Sequence, residues 1–334
     1  MKRNIIYIIV SVLMLGFIIW TILTPKPTQE FSSNLFYMDT YINVKVYGND
    51  ADKANEVLDE VDKIYKEYHE LTDRYNEYNN LNNIYYINNN RSDIEKIKID
   101  EKLYSVLDYG IKWNGISNQL LNINLGNVID IWKEYRQNKD GIPTIEELKN
   151  SGSINIEDIV LLEDNYILNN HPNIDLGAIS KGYTTKIVGD YLKEQGFDKF
   201  LINAGGNVLL GEHYHNDVYK IGIEEPNGTG GIYQILKGKN IAVITSGSYE
   251  RFYEYEGNLY HHIINPKTLM PTNHMKSVTV ITSDSALGDI LSTILFLMPI
   301  QDGQEFIKQF ENVEAIWFAN DDTVIKSPGF SNYE

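Results

Sequence analysis

Residues 174–182 constrain the fold of this chain more than any other segment. They combine an apolar run, the carboxylate of Asp175, a glycine and the ammonium group of Lys181, and the residues after them have helical spacing. A strand entering a helix through a glycine turn directs free amides, the positive helix end and a lysine toward one point, which suits a phosphorylated ligand. Taken alone, the segment is more simply an ordinary strand–helix connection with a surface lysine.

The composition of the 334 residues narrows the classes of function. The formal net charge is −17, and no basic stretch is present that could neutralise a nucleic-acid backbone. An acidic surface still permits a local cationic pocket for a small anion. Because the chain has no cysteine, disulfides, thiolate metal sites, a cysteine nucleophile and a lipid-modified cysteine anchor are excluded.

The N-terminus has the pattern of a membrane anchor. Lys2 and Arg3 precede an apolar run over residues 5–24, long enough to cross a hydrocarbon layer of roughly 30 Å. Positive charges before the run favour an inside N-terminus and an outside remainder. A cleaved signal peptide is the alternative, but residues 22–29 show no small-residue cleavage site. We therefore predict a single-pass anchor in the cell membrane (1–24), a linker (25–35) and an extracytoplasmic domain (36–334).

The remaining chain alternates strand-like and helix-like segments without a regular βαβ repeat. Alternation of polar and apolar residues predicts a strand over 36–47, and helical spacing predicts helices over 52–71, 100–115 and 285–298. Thr144 and Glu147 fit a capping box that opens another short helix. The asparagine-rich residues 76–90 indicate an extended loop. The fold class is therefore α+β, with mixed sheets and packed helices.

Two further segments carry polar groups that could act on a ligand. Residues 203–207 contain paired glycines that allow close approach to the backbone, or simply form a bulge or tight hairpin. In residues 245–251, Ser246 and Arg251 could hold phosphate oxygens. The adjacent His261 and His262 would face opposite sides of a strand, so one at most should face a given site. Both could instead cap strand ends or form a surface metal site.

Asp289, Ser292 and Thr293 share one face of a predicted helix, at positions i, i+3 and i+4. A carboxylate with two hydroxyls suits Mg²⁺ rather than a soft metal. The alternative is that the hydroxyls bond back to the preceding helical turn.

Taken together, these segments resemble the ApbE family, the FAD:protein FMN transferases. The resemblance covers about residues 36–299 and depends on the order and spacing of several motifs. These are Phe-Tyr-Met-Asp-Thr at 36–40, the segment 122–132 ending in tryptophan, and the segments 175–182, 203–207, 245–251, 261–266 and 289–293.

The resemblance implies a T-fold-like α+β protein and a specific activity. A Mg²⁺-dependent enzyme would transfer FMN from FAD to a serine or threonine hydroxyl of an extracytoplasmic flavoprotein, releasing AMP. This is a post-translational flavinylation. Two alternatives stay open: an FAD pyrophosphatase, in which water replaces the protein hydroxyl, and a non-catalytic flavin-binding module.

The resemblance also implies roles for individual residues. His262 would handle the proton of the acceptor hydroxyl. The metal would be held by the Ala178 carbonyl with Asp289, Ser292 and Thr293. Asparagine stands at 207 and 265 where the family commonly has aspartate, and Leu269 stands where it usually has glycine. The residues implied to line the FAD site are Met38, Tyr75, Leu120, Leu121, Asn122, Asp175, Lys181 and Ile264.

Overall fold

The computed structural model describes residues 27–90, 92–170, 172–215, 217–227 and 230–334, with Tyr7, Met14 and Leu15 from the N-terminal segment. Within these parts, no helix combines the length and apolar character needed to cross a bilayer. The predicted anchor, residues 1–24, lies almost entirely outside the described residues.

The strands, numbered in chain order, belong to four sheets. Their bounds are β1 Gln29–Tyr37, β2 Thr40–Gly48, β3 Ser92–Lys98, β4 Ile159–Leu162, β5 Tyr166–Asn169, β6 Phe200–Ala204, β7 Asn207–Leu210, β8 Tyr219–Glu224, β9 Ile232–Gly238, β10 Ala242–Gly247, β11 Phe252–Tyr255, β12 Asn258–His261, β13 Met275–Thr282, β14 Glu314–Ala319 and β15 Val324–Lys326. The main sheet has eight strands in the order β1-β2-β6-β7-β10-β13-β14-β15. The smaller sheets are β3-β5-β4, β8-β9 and β11-β12.

Most of the described helices start where a side chain caps the first turn. Asp50 accepts a bond from the amide of Lys53 at the first helix, and Asp284 caps the seventh in the same way. The predicted capping box of Thr144 and Glu147 is present in full. The bounds are α1 Ala51–Thr72, α2 Ile84–Asn89, α3 Glu101–Ile116, α4 Gly126–Asn138, α5 Ile145–Lys149, α6 Ser180–Glu194, α7 Ser285–Leu297 and α8 Ile300–Phe306.

The main sheet is buried on both faces. Alternate residues of β2, including Val44 and Val46, pack with residues of α1 and α6 in one apolar cluster. On the opposite face, Val243 and Ile281 pack with the β8–β9 hairpin and with Phe330 near the C-terminus. Helices α6 and α7 lie against each other and bring the first turn of α6 and the middle of α7 to the end of β10, where the site forms.

The first strand prediction was wrong in its extent. Residues 36–47 do not form one strand, because the chain reverses at Met38 and Asp39 between β1 and β2. Both residues adopt a positive φ, 53° and 57°, in a turn that carries no glycine to signal it. Strand β1 begins at Gln29, so most of the predicted linker pairs with β2. The sheets are also not mixed, since every described strand pair is antiparallel.

Two further segments differ from the prediction. The asparagine-rich segment contains helix α2, which Asn83 caps by accepting a bond from the amide of Tyr86. Residues 174–176 form no strand, because their amides and carbonyls bond to loop residues such as Ile123 and Asn88 instead of a sheet neighbour. The lysine-bearing turn therefore joins a loop to α6. The paired glycines at 205 and 206 form a tight hairpin turn between β6 and β7, one of the predicted alternatives.

Candidate active site

The centre of the site is the close approach of α6 and α7. Gly182, in the first turn of α6, lies directly against Asp289 of α7. A Cβ placed on Gly182 would come within 2.3 Å of the Asp289 Cβ and 2.6 Å of the Ser285 carbonyl oxygen. Only glycine permits this distance between the helices.

Asp289 is a buried carboxylate whose charge is only partly balanced. The amide of Gly182 donates to its Oδ2 at 2.7 Å, and the Nζ of Lys181 lies 3.5 Å from its Oδ1. Its side chain is 6% exposed. Burial raises the pKa of Asp289 above its usual value, while Lys181 and the Gly182 amide act in the opposite direction. A second cation beside Asp289 would therefore stabilise its ionised form.

The hydroxyls beside Asp289 are oriented by the protein. Ser292 and Thr293 both donate to the carbonyl of Asp289, at 2.9 and 3.3 Å, which is the helical back-bonding that the sequence left as an alternative. The hydroxyl of Ser246, from the end of β10, donates to the Oγ of Ser292 at 2.9 Å. A hydroxyl that donates its proton to a carbonyl still offers oxygen lone pairs to a cation.

The donor set fits Mg²⁺. The described residues contain no group of three or more histidine, cysteine, aspartate or glutamate side chains that could hold a metal. Mg²⁺ needs less, because it usually binds one or two carboxylates and completes its shell with water and substrate phosphates. The Gly182 amide bonds to Asp289 rather than to the carbonyl of Ala178 four residues earlier, which leaves that carbonyl as a further oxygen ligand.

Asp175 lies in a second network, built around Arg74. The guanidinium donates to Asp175 at 3.0 Å, to Asp130 at 2.7 Å and to the side chain of Asn173 at 2.9 Å. The amide of Gly177 also donates to Asp175, at 2.8 Å. Burial alone would lower the pKa of Arg74, but the two carboxylates more than offset it and hold the pKa above its usual value. This network fixes the loop that precedes α6.

The two adjacent histidines face different surroundings, as predicted. His261 is buried, its Nε2 donates to the carbonyl of Thr272 at 2.7 Å, and its ring meets Phe296 edge-on. His262 has a buried Nδ1 with no hydrogen-bond partner among the described residues. Burial lowers the pKa of His262 to about 3, helped by the charges of Arg251 and Arg136. His262 is therefore neutral at physiological pH.

Arg251 joins the histidine to the β1–β2 turn. Its carbonyl accepts the amide of His262 at 3.0 Å, and its guanidinium donates to Asp39 at 2.8 Å. Met38, the neighbour of Asp39, has an amide 3.4 Å from the Nδ1 of His69. The charges of Arg251 and Lys181 both lower the pKa of Glu250, which burial raises, so the histidine side and the Asp289 side of the site share one electrostatic environment.

The other residues implied to bind FAD are distributed around these groups. Tyr75 is exposed beside Arg74, at 5.2 Å from ring centre to guanidinium. Leu120 lines a cleft of about 630 Å³ together with Asn265. Leu121 and Ile264 are buried in two different apolar clusters, and the side chain of Asn122 bonds to the backbone of Ile154 and Asn124. The side chains of these last three residues are therefore committed to core packing or to backbone hydrogen bonds.

The sequence reading missed Arg74 and Arg136. The chain has 24 lysines but only five arginines. All three arginines in the described part of the chain lie at the site, namely Arg74, Arg136 and Arg251. Where lysine is the common cation, an arginine indicates a need for the planar, bidentate guanidinium. That scarcity is the signal that could have found them.

The sequence model of the ApbE family matches residues 38–317. The chain belongs to the ApbE family. It is 29% identical over 248 residues to a FAD:protein FMN transferase of Klebsiella pneumoniae, covering 72% of this chain and 76% of the relative. It is 30% identical over 223 residues to one of Vibrio cholerae, covering 64% and 66%. The ApbE protein of Thermotoga maritima has the same fold, with a TM-score of 0.82 at 22% identity over 92% of this chain and 99% of that one.

The substitution at Leu269 departs from the glycine expected in an ApbE protein, and the structure shows what that position requires. Leu269 has a φ of 62°, the left-handed conformation that glycine adopts without strain. Its side chain is buried, and its carbonyl accepts the indole Nε1–H of Trp132 at 2.8 Å. Asn207, at another departure, accepts the hydroxyl of Ser285 at 2.7 Å. Both residues are thus built into the structure around the site.

Proposed function

We propose that this protein is a Mg²⁺-dependent FAD:protein FMN transferase that attaches FMN to a serine or threonine hydroxyl and releases AMP. Membership of the ApbE family, whose curated relatives carry that transferase name, supports the transfer itself. One observation carries the finer proposal. It is the buried carboxylate of Asp289, which Lys181 neutralises only in part. A neutral histidine, His262, whose buried Nδ1 has no hydrogen-bond partner among the described residues, supports the role of proton acceptor.

The reaction balances as a phosphoryl transfer. The acceptor hydroxyl oxygen forms a bond to the FMN phosphorus of FAD, and the bond from that phosphorus to the bridging oxygen breaks. AMP leaves with the bridging oxygen. The Nδ1 of His262 accepts the hydroxyl proton, which suits a ring that is unprotonated and has no other partner for that nitrogen.

The Asp289 side of the site would hold the diphosphate. Lys181 and Ser246 would bond phosphate oxygens, and their positions beside Asp289 and Ser292 support this role. Asp289, the Ala178 carbonyl, Ser292 and Thr293 would hold Mg²⁺, which neutralises the phosphate oxygens and the charge that leaves with AMP.

The flavin and adenosine parts of FAD would contact the surrounding residues. Met38, Tyr75, Leu120 and Ile264 offer apolar or aromatic surface. Asp175 is bound by Arg74, whose guanidinium lies beside the Tyr75 ring. Leu121 and Asn122 would act mainly through their backbone, since their side chains are committed elsewhere.

The deciding experiment incubates the purified protein with FAD, Mg²⁺ and an acceptor peptide with a glycine-rich serine or threonine motif. Peptide that gains the mass of FMN, with equimolar AMP, supports the transferase. AMP and free FMN without an adduct would instead indicate the pyrophosphatase. Intact bound FAD would indicate a binding module and contradict catalysis.

The role of His262 is tested separately by His262→Asn. Loss of the proton acceptor should slow transfer by about a hundredfold or more while FAD binding, measured by flavin fluorescence, stays unchanged. Because the pKa of His262 is about 3 in the unliganded protein, kcat/KM, which reports the free enzyme, should show no fall near pH 6.5 from protonation of this ring. A wild-type rate in the variant would remove His262 from the mechanism.

We also propose that residues 1–24 anchor the protein in the cell membrane with the catalytic domain outside. The support is the apolar run itself, which follows Lys2 and Arg3. Membrane fractionation with external protease checks it. Catalytic domain recovered from the soluble fraction, or protected from protease in intact cells, would contradict the proposal.

A further inference from the structure

Arg136 lies in the last turn of α4, on an element held firmly against the histidine-bearing hairpin. Trp132, one turn earlier, is buried and stacks on Tyr260 of β12 with ring centres 5.8 Å apart. Its indole also bonds to the Leu269 carbonyl. Because Trp132 fixes α4, the position of Arg136 beside β11 and β12 follows from a rigid contact.

The positive charge of Arg136 has no counter-ion in the described part of the chain. Among the described residues, its guanidinium makes no hydrogen bond and no ion pair, although it is half-buried. Burial lowers the pKa of Arg136, and the nearby charge of Arg251 lowers it further. Two cations held close together, one of them without a partner, disfavour each other unless an anion lies between them.

The neighbouring side chains would also face a bound anion. The pair that Arg251 makes with Asp39 is solvent-exposed on both sides, so it contributes little and is easily exchanged. The Nδ1 of His262 is buried and unpartnered on the same side. The charges of both arginines contribute to the lowered pKa of this ring, so an anion there would raise it toward its usual value.

Composition gives an independent indication. Lysine outnumbers arginine 24 to 5 along the chain, and Lys133 stands one turn before Arg136 on the same helix. On a solvated helix face, lysine would be sufficient. An arginine at 136 is expected where a planar fork must hold two oxygens at once.

We propose that Arg136 and Arg251 form an oxyanion subsite beside His262, which binds a phosphate or carboxylate group of one of the two substrates. The proposal rests on the transferase function and deepens it. The group would come either from FAD, as a phosphate, or from the acceptor protein, as an acidic side chain near the modified hydroxyl. In both cases the guanidinium of Arg136 would donate two hydrogen bonds to two oxygens of the bound group.

The test compares Arg136→Gln with the matched control Lys139→Gln, which removes an exposed positive charge three residues further along. Loss of a charge-assisted pair should weaken binding by about ten- to a hundredfold. An increase in the Kd for FAD assigns the anion to FAD. An increase in the KM for an acceptor that carries an acidic residue assigns the anion to the acceptor, provided that the KM does not increase when that residue is replaced by its amide counterpart. Lys139→Gln should match wild type in both.

A probe without turnover keeps this test separate from the proposed function. Inorganic phosphate should raise the Tm of the wild type and of Lys139→Gln more than that of Arg136→Gln, even if no FMN transfer occurs. If Arg136→Gln does not fold, Arg136→Lys, which keeps the charge but loses the fork, should show an intermediate defect. The proposal is overturned if Kd, KM and the phosphate response all equal wild type. A changed phosphate response with unchanged Kd and KM would show an adventitious ion only, and would also overturn it.

Discussion

Asp175 and Asp289 are two carboxylates of one site, and their surroundings differ in a way that separates support from chemistry. Each accepts an amide from the same turn, Asp175 from Gly177 and Asp289 from Gly182. Asp175 has a buried arginine at 3.0 Å, whereas Asp289 has only a half-buried lysine at 3.5 Å. The first charge is matched within the protein, whereas the second is matched only in part, which supports the proposed cation site at Asp289.

The largest effect should come from neutralising each carboxylate in turn. Asp289→Asn should abolish Mg²⁺-dependent turnover, because the only carboxylate at the proposed metal site is lost. Asp175→Asn should keep a measurable rate and chiefly reduce stability. The measurement is AMP release with and without Mg²⁺. Equal residual activity in the two variants would contradict the proposed difference in role between Asp175 and Asp289.

Removing the arginine tests the other half of the comparison. Arg74→Ala leaves Asp175 without its cation in a buried setting and should lower the free energy of unfolding by about 3 kcal/mol. Chemical denaturation gives this value. Lys63→Ala, which breaks an exposed pair with Glu60, should leave stability unchanged. A loss no larger than that of the control would show that the network is not a structural clamp.

The two glycines that donate these amides provide a smaller, matched pair. A Cβ at Gly182 would overlap the Asp289 Cβ, so Gly182→Ala should cost about 1–3 kcal/mol of stability by forcing α6 from α7. At Gly177 a Cβ would come only to 3.0 Å from the movable Oδ1 of Asp175, so Gly177→Ala should be nearly neutral. Thermal unfolding of both variants decides. Similar Tm values would mean that the helices can separate without cost.

The smallest effect concerns pH and the metal-free protein. The folded pKa of Asp289 is raised, so its contribution to stability is present below its unfolded pKa, near 4, and is lost as pH rises through the folded pKa. Relative to Asp289→Asn, the wild type should therefore lose stability with rising pH, and Mg²⁺ should restore it. Denaturation midpoints measured across pH show this. Parallel pH curves without Mg²⁺ would mean that Asp289 is already neutralised.

Local patterns in the sequence predicted the helices over 52–71, 100–115 and 285–298 and the capping box of Thr144 and Glu147, because these signals act within a few residues of their own position. The turn at Met38 and Asp39 was missed because neither residue type indicates a positive φ in a sequence. Helix α2 was missed because asparagine is a poor helix former, and only its cap and packing stabilise it there.

The site was predictable where its residues share a helix, as in residues 289–293, and unpredictable where partners are distant. Arg74 meets Asp175 across 101 positions, and nothing local to either residue indicates the pairing. The family resemblance, not a local pattern, singled out His262, and the fold adds that His261 is committed to Thr272. Whether each residue acts as the ApbE resemblance implies stays a prediction.

The segment 177–182 donates one backbone amide to each of the two carboxylates, so a movement of one carboxylate affects the contact made by the other. Gly177 and Gly182 are five positions apart, at the entrance of α6, so a cation that draws Asp289 inward must load the contact at Asp175 as well. Thermodynamic reciprocity then requires that Mg²⁺ and the coenzyme alter each other's affinity by the same factor.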